Sequence, residues 1–483
     1  MRTPRVYLFL LALALCVIRP NSVTAEGQSS PLTWGDFTAD VALRLRYEYV
    51  NWLDGAAPNT SSSYAFPHSK LQLGLKYSQP QFKAYVQGQY FQLYDLPESG
   101  VGPGAVYYST NDRDHSPGDF VLRQGWLEGN AGNASLTLGR FLYSNGSESL
   151  SKQATVSWIR QKRISERLFG PFDFTGGRSF DGLRLAWNQP DLGGIASTVF
   201  RPTQGGFATD ASSEIEDVMV VASALSADPK LLGSDSDLQF FHYFYQDKRG
   251  DAVVKVDNRD LDIRKADDEN IAIHNFGAHW IDVRQFGGIR VDYLLWGLGQ
   301  FGNWGSQDHH AYAAAAEAGA RFDEVTAKPW IRTGYNVSSG DDDPTDSDHN
   351  TFFQMLPTAR QYAEVPFYNL MNNQDLFMNI TIDPTEALSI RTGASYLWVT
   401  ANEDLLYSGG GVSKDHQFGF AGVSTSSGHD LGVLLNLHTW YKLTSYAQLY
   451  FFYGHLFGGS AMETVYTKKD DIDYAFAELN LKF

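Results

Sequence analysis

The sequence is nearly without cysteine: of its 483 residues, only Cys16 is one. No disulfide framework can form, so a fold of this size must rest on packing and backbone pairing. Beyond the first residues there is also no unbroken apolar run near the ~18–20 residues that a membrane helix requires. Charge is scarce as well, at 19% of residues, and what there is leans acidic, with a net of −17. That balance argues against nucleic acid as a partner. If such a chain enters a membrane, it must do so as a closed β-barrel, because lipid offers no partner to an unpaired backbone group.

What is present begins with an export signal. Arg2 and Arg5 supply a basic start, Val6 to Ile18 an apolar stretch, and Val23-Thr24-Ala25 small residues for cleavage. A lipoprotein reading of Leu13-Ala14-Leu15-Cys16 is disfavoured by the bulky leucine before the cysteine. The expected organisation is a cleaved signal peptide at 1–25, a short segment at 26–36 and one barrel domain at 37–483. Without Arg2, Arg5 and Arg19, 35 basic residues face 55 acidic ones, a net of −20.

Alternation of period two dominates the rest. Phe37, Ala39, Val41, Leu43, Leu45, Tyr47 and Tyr49 share one face; Thr38, Asp40, Ala42, Arg44, Arg46 and Glu48 share the other. Soluble strands usually run ~5–6 residues, whereas a tilted membrane strand needs ~9–11. The same pattern recurs around Leu71 to Tyr77, Ile289 to Leu295, Leu431 to Leu437 and Ala447 to Tyr453. About 18 such segments can be drawn, from 37–49 and 69–78 through 271–281, 287–302 and 308–323 to 444–457 and 470–483, an even number as bacterial single-chain barrels have. Tight turns such as Gln79-Pro80-Gln81 and Pro384-Thr385-Glu386 alternate with long polar stretches at 50–68, 94–118, 141–180, 248–270, 338–373 and 401–427. Short periplasmic turns and long external loops fit an all-β, single antiparallel transmembrane barrel. One connection, 303–307, is short where a long one is expected. The final Phe483, with apolar residues at every second position back to Ala475, matches a barrel-assembly insertion signal.

Several stretches carry a family resemblance. Gly139-Arg140 with Gly177-Arg178-Ser179-Phe180-Asp181-Gly182-Leu183-Arg184, and Ser339-Gly340-Asp341-Asp342-Asp343-Pro344 followed by Asn350-Thr351-Phe352 and Leu356-Pro357, resemble motifs of the alginate export family of outer-membrane porins. Asn369-Leu370 and Gly428-His429-Asp430 also fit, and the resemblance covers nearly the whole mature chain. His429 stands where an acidic residue is expected, and Gln354-Met355-Leu356-Pro357 replaces a phenylalanine-rich form. The resemblance implies a channel in the bacterial outer membrane, set in lipid and lipopolysaccharide and inserted by the barrel-assembly machinery, with an anionic saccharide or small acidic solute as cargo.

Arg44, Arg46, Lys70, Lys76, Arg184, Arg290, Arg321, Arg332 and Arg391 are the residues expected to line the pore and attract anions, Arg332 sharing its face with Trp330. Guanidinium groups suit carboxylates because they offer two parallel hydrogen bonds. The competing reading is a neutralised wall, in which Asp40, Glu48, Asp292 and Glu317 pair with them. Acid collects in the loops, at Asp257 to Glu269 and at Asp341, Asp342, Asp343, Asp346 and Asp348. The second cluster is the candidate gating loop. Calcium is an alternative for it, but the spacing lacks the glycine of a calcium-loop template, and a solvated or lipopolysaccharide-adjacent loop is the preferred reading. No cofactor is implied. Asp308-His309-His310 cannot be a metal pair on a strand, where neighbours face opposite sides. His242, His274 and His438 read as pore-wall or interface residues. No serine–histidine constellation supports an outer-membrane enzyme. A general porin without a polysaccharide role is the main alternative.

Overall fold

The computed structural model describes residues 32–54, 60–148, 153–165, 167–232, 235–357, 365–425 and 428–483. The expected signal peptide lies outside the described residues. Eighteen long antiparallel strands form the wall: β1 (Phe37–Asn51), β2 (Ser63–Ser78), β3 (Phe82–Leu93), β4 (Gly118–Ala131), β5 (Ala134–Phe141), β6 (Phe180–Gln189), β7 (Gly193–Pro202), β8 (Val218–Ala227) and β9 (Asp235–Asp247). They continue as β10 (Ile271–Phe286), β11 (Ile289–Trp304), β12 (Gln307–Phe322), β13 (Trp330–Ser338), β14 (Asn373–Ile382), β15 (Leu388–Val399), β16 (Asp430–Lys442), β17 (Ala447–Gly458) and β18 (Ile472–Lys482). Each strand pairs with its neighbours in sequence, and β18 returns to β1 with Ala42 opposite Lys482 and Asn51 opposite Asp473. Closure removes every edge that lipid could not satisfy.

The alternation seen in the sequence sorts the side chains. Leu73, Leu136, Leu138, Leu185, Leu295, Leu376, Leu435 and Leu449 are exposed on the outer face. Aromatic residues flank that band on both sides. Phe37, Phe82, Trp187, Phe286, Tyr441 and Tyr446 are exposed near the short turns, and Tyr47, Phe120, Phe301, Tyr312, Tyr396 and Phe457 near the long loops. Such girdles mark the two membrane interfaces of a transmembrane barrel. The tight turns 132–133 and 287–288 hold Gly132 and Gly287 at φ of +58° and +57°, a left-handed conformation that disfavours other residues. The short connection at 305–306 is a true hairpin on the loop side, so β11 and β12 are joined there without a long loop.

The long loops turn inward. Within the loop at 142–179, here L3, α1 (Ala154–Ile159) runs into a π-turn at Arg160–Ile164. From the loop at 339–372, here L7, Phe352, Phe353, Met355 and Leu356 are fully buried against Ile164, Leu168 and Phe169 of L3 and against Tyr243, Tyr245 and Trp304 of the wall. Gln354 Nε2 donates to the Arg167 carbonyl at 2.9 Å, and Phe353 N–H donates to Gln300 Oε1 at 2.8 Å. A second apolar cluster joins Val50, Phe66 and Phe91 to Val365 and Phe367 of L7. The extracellular half of the barrel is therefore a packed core of loops rather than an empty pipe.

Candidate functional site

L3 crosses the lumen between two walls of opposite character. Its distal end meets β1, β2 and β4. Lys70 Nζ lies 2.8 Å and Arg123 Nη2 3.2 Å from the Asp173 carboxylate, while Arg44 donates to the carbonyls of Asp173 at 3.0 Å, Phe174, and Thr175 at 3.2 Å. Arg46 pairs with Glu478, lies 3.5 Å from Glu48, and has Phe174 and Phe476 rings at 3.7 and 4.1 Å from its guanidinium carbon. The side chain of Asp173 remains 51% exposed, whereas those of Lys70 and Arg123 are nearly or wholly buried. Enclosure by the barrel works against its charge, but Lys70, Arg123 and Arg44 outweigh that and hold the carboxyl well below the usual carboxylate range.

The proximal end of L3 meets the far wall. Glu317 on β12 accepts from Arg163 at 3.0 Å and Arg167 at 3.1 Å of L3, and from Arg332 at 3.0 Å on β13. Arg160 lies 3.1 Å from Asp237 on β9, which also binds His279 at 2.9 Å. Asp292 takes Arg332 and, at 2.7 Å, the Trp330 indole N–H, so Trp330 and Arg332 do share the inward face.

The remaining sequence-derived positions fall as follows. Arg184 donates to the Glu148 carbonyl at 3.1 Å; Arg290 pairs with Asp323 at 2.8 Å; Arg321 pairs with Asp383 at 2.8 Å and Asp323 at 3.2 Å. Arg391 donates to His438 at 2.8 Å. Lys76 is half-buried and makes no ion pair among the described residues. Asp40 accepts from the Tyr85 hydroxyl at 3.0 Å, and Glu48 binds His68 at 3.0 Å. Phe483 exchanges both backbone hydrogen bonds with Val41, at 2.9 and 3.1 Å, and its ring lies 5.2 Å from Tyr446.

The loop acids and the histidines separate by environment. Asp342, Asp343 and Asp346 are exposed at the tip of L7, and only Asp341 turns inward, where its N–H donates to Asp404 at 3.0 Å. The segments inside the barrel are 351–356 of L7 and L3. The acid of the 248–270 loop is not simply solvated either: Asp257 and Asp267 are buried against Arg259, at 2.9 and 3.0 Å. His242 and His274, 3.0 Å apart, stack with Phe276 on the outer face, while His438 alone of the three faces the lumen. Among the described residues no group of three His, Asp or Glu is placed to hold a metal ion.

Several motif residues hold strands and loops together. Arg140 and Asp181 form a two-point ion pair, at 2.7 and 2.6 Å, on the outer side of β5 and β6. A Cβ at Gly182 would meet the Val199 carbonyl oxygen at 2.0 Å. Arg178 donates to the Gly410 and Val412 carbonyls and so ties the end of L3 to the loop at 400–429. The model of the alginate export family matches residues 35–476. The chain belongs to the alginate export family.

No curated protein matches the chain. Solved structures share its fold. Pseudomonas aeruginosa OccK9 (OpdG) is 11% identical with a TM-score of 0.57, covering 92% of this chain and 98% of its own. A BenF-like porin from Pseudomonas fluorescens Pf-5 is 11% identical with a TM-score of 0.58, covering 93% and 98%. The outer membrane protein opdK from Pseudomonas aeruginosa is 8% identical with a TM-score of 0.54, covering 92% and 98%. This alginate export family barrel is a porin-like channel of the bacterial outer membrane, surrounded by lipid and lipopolysaccharide.

Alternation alone misses Arg123 and the L3 residues Arg160, Arg163, Arg167 and Asp173. Gln87 faces Gln124 but Gly88 faces Leu122, which makes Arg123 the extra residue of a β-bulge. A bulge flips the in–out parity of its strand, so a strict period of two cannot assign that arginine.

Proposed function

We propose that this channel passes anionic saccharides or small acidic solutes by diffusion, guided by the basic wall of β1, β2 and β4. The supporting observation is the seat of Asp173. Lys70 and Arg123 converge on one carboxylate that is itself half-exposed, with Arg44 beside it. A wall that holds the protein's own carboxylate in this way has the geometry to hold that of a passing solute. Cations near a constriction concentrate anions, and neighbouring acids keep binding weak enough for release. Transport without chemistry is part of this reading, as is a role for Phe483 in recognition by the barrel-assembly machinery.

The general-porin alternative draws on the opposite wall, where Glu317 and Asp292 already engage Arg163, Arg167 and Arg332 in buried ion pairs. Reversal potential in planar bilayers under a potassium chloride gradient separates the two. An anion-preferring potential that strengthens at low salt supports the proposal. A potential near zero or preferring cations rejects it in favour of the general porin.

A further inference from the structure

Where L7 meets β12, two imidazoles face each other on the inner side of the wall. The short strand Asp348–His349 runs parallel to the start of β12, with Asp348 opposite Asp308 and His349 opposite His309. His309 Nδ1 and His349 Nδ1 are 2.8 Å apart, and both side chains are wholly buried. His349 also stacks on Trp304 of β11, with ring centroids 4.3 Å apart at 1°. Further along L7, both backbone groups of Phe353 are held by Gln300 of β11. The Phe353 N–H donates to Gln300 Oε1 at 2.8 Å, and its carbonyl accepts from Gln300 Nε2 at 2.8 Å. The same Oε1 accepts from His309 Nε2 at 3.2 Å. The imidazole pair is therefore part of the seat of 351–356, the segment of L7 that lies inside the barrel.

The partners assign the hydrogens. An amide oxygen only accepts, so His309 carries its hydrogen on Nε2 and its Nδ1 is an acceptor. His349 must then donate from Nδ1, which leaves its Nε2 without a hydrogen. That nitrogen is buried and meets no hydrogen-bond partner. Both rings are neutral in this arrangement, and a proton suits neither. On His309 Nδ1 it would set two N–H groups against each other; on His349 Nε2 it would create a donor with no acceptor. The surrounding charges offer no relief. Asp308, His310 and Asp348 adjoin the pair in sequence and alternate to the other face. Asp257 is taken up by Arg259 and by the Trp304 indole N–H, each at 2.9 Å. Burial pushes His349 down to about 3, with the like charge of Arg259 adding to it.

We infer that His309 and His349 form an acid-released latch on L7: neutral, they pin 348–356 to β11 and β12, and protonated, they free that segment and widen the bore. The effect on current rests on the channel reading above, whereas the latch itself does not. The sign follows from linkage. A histidine lowered in the seat supports the seat fully above the ordinary imidazole value of ~6.5 and progressively less below it. With His349 at about 3 when seated and ~6.5 when released, the equilibrium moves toward release roughly 25-fold between pH 7 and pH 5.

Hydrogen exchange at the Phe353 amide in the full barrel tests the latch without any current. Its protection factor should fall roughly 25-fold from pH 7 to pH 5. His349→Asn keeps an amide donor toward His309 Nδ1 but binds no proton, so it should lose most of that fall. Equal protection of wild type at the two pH values, or a fall unchanged in His349→Asn, overturns the latch. A second variant does not touch the pair. Cys16 is the only cysteine of the sequence, and Asp308 and Asp348 are directly paired, at a backbone spacing that suits a disulfide. Asp308→Cys with Asp348→Cys therefore ties the segment to β12 when oxidised. In planar bilayers the wild-type conductance should rise at pH 5, the oxidised double variant should keep its pH 7 conductance, and reduction should restore the rise. A rise of equal size before and after reduction overturns the latch. A folded barrel that carries no current at either pH refutes the channel reading instead, and the exchange measurement then decides the latch alone.

Discussion

Replacing Asp173 with asparagine isolates the charge at the tip of L3. Around that tip four cations, Arg44, Arg46, Lys70 and Arg123, face three carboxylates, Asp173, Glu478 and Glu48. Removing Asp173 raises the local excess from one positive charge to two. The carboxylate is half-exposed, so the relevant dielectric for a passing ion is close to that of water. At ~4 Å one unit charge is then worth ~1 kcal/mol, or roughly fivefold in ion occupancy. The effect has opposite sign for cations, so the anion-to-cation ratio should rise by roughly 5- to 25-fold at the constriction. At 0.1 M salt the screening length is ~10 Å and most of this survives; at 1 M it is ~3 Å and most is lost.

The assay is the reversal potential of single channels at both salt concentrations, with open conductance recorded alongside. Asp173→Glu serves as the control: it keeps the charge and disturbs the geometry, so it should alter conductance more than selectivity. The barrel should still close, since strand pairing and the lipid face are untouched, and heat-modifiable migration checks this before any recording. An Asp173→Asn channel with wild-type reversal potential at 0.1 M would refute the idea that this cluster sets selectivity, whatever its conductance.

Burial pushes the Asp341 carboxyl up to about 7, with Asp404 adding to it, and burial pushes Asp404 up to about 6 against the donors Thr351 and Tyr407. Raised carboxyl values mean that the contact between L7 and the 400–429 loop is fully stable only below the ordinary carboxylate range, weakens progressively as pH rises, and has lost this contribution above about pH 7. The hydrogen-exchange protection factor of the Asp341 amide should therefore fall between pH 5 and pH 7 and fall less steeply in Asp404→Asn; a constant wild-type value would contradict this. Deleting Phe483 removes both its backbone bonds to Val41 and the terminal aromatic, and should slow insertion in a reconstituted assembly assay. Insertion kinetics equal to wild type would exclude Phe483 from the assembly signal.

The wall was legible in the sequence because it obeys one rule repeatedly. Each of the eighteen strands follows from period-two alternation, and the inward placement of Arg44, Arg46, Arg332 and Arg391 follows from it too. The rule fails where the backbone departs from it. Arg123 is hidden by the bulge opposite Gln87 and Gly88. Loop interiors were illegible for a different reason: no periodicity links Arg163 to Glu317, 154 residues away, or Lys70 to Asp173, 103 residues away. Composition misled in the acidic stretches, because Asp257 and Asp341 are buried by partners that are distant in the chain or follow no repeat. The motif residues were visible, but their role at the outer face and loop ends was not.

The order of charge along L3 explains how it can be held without being sealed. Arg160, Arg163 and Arg167 come first and meet Asp237 and Glu317; Asp173 comes after and meets Lys70 and Arg123. Only one orientation across the lumen satisfies both walls, and the reversed one would place like charges together. The two anchors are not equivalent, however. The Glu317 side chain is 0% exposed and is shared by three guanidinium groups, so water and solute have no route to it. Breaking such a buried pair leaves uncompensated charge and is costly, which makes this end a structural clamp whose arginines are already engaged by buried carboxylates. Asp173 is half-exposed while Lys70 and Arg123 are buried behind it, so on the proposed reading a solute carboxylate reaches those cations only by displacing Asp173. Selectivity therefore depends less on how many arginines face inward than on which of them have a partner that can be exchanged. On the proposed channel reading, that criterion assigns the action on a passing anion to Lys70 and Arg123, with Arg44 beside them, rather than to Arg163, Arg167 and Arg332.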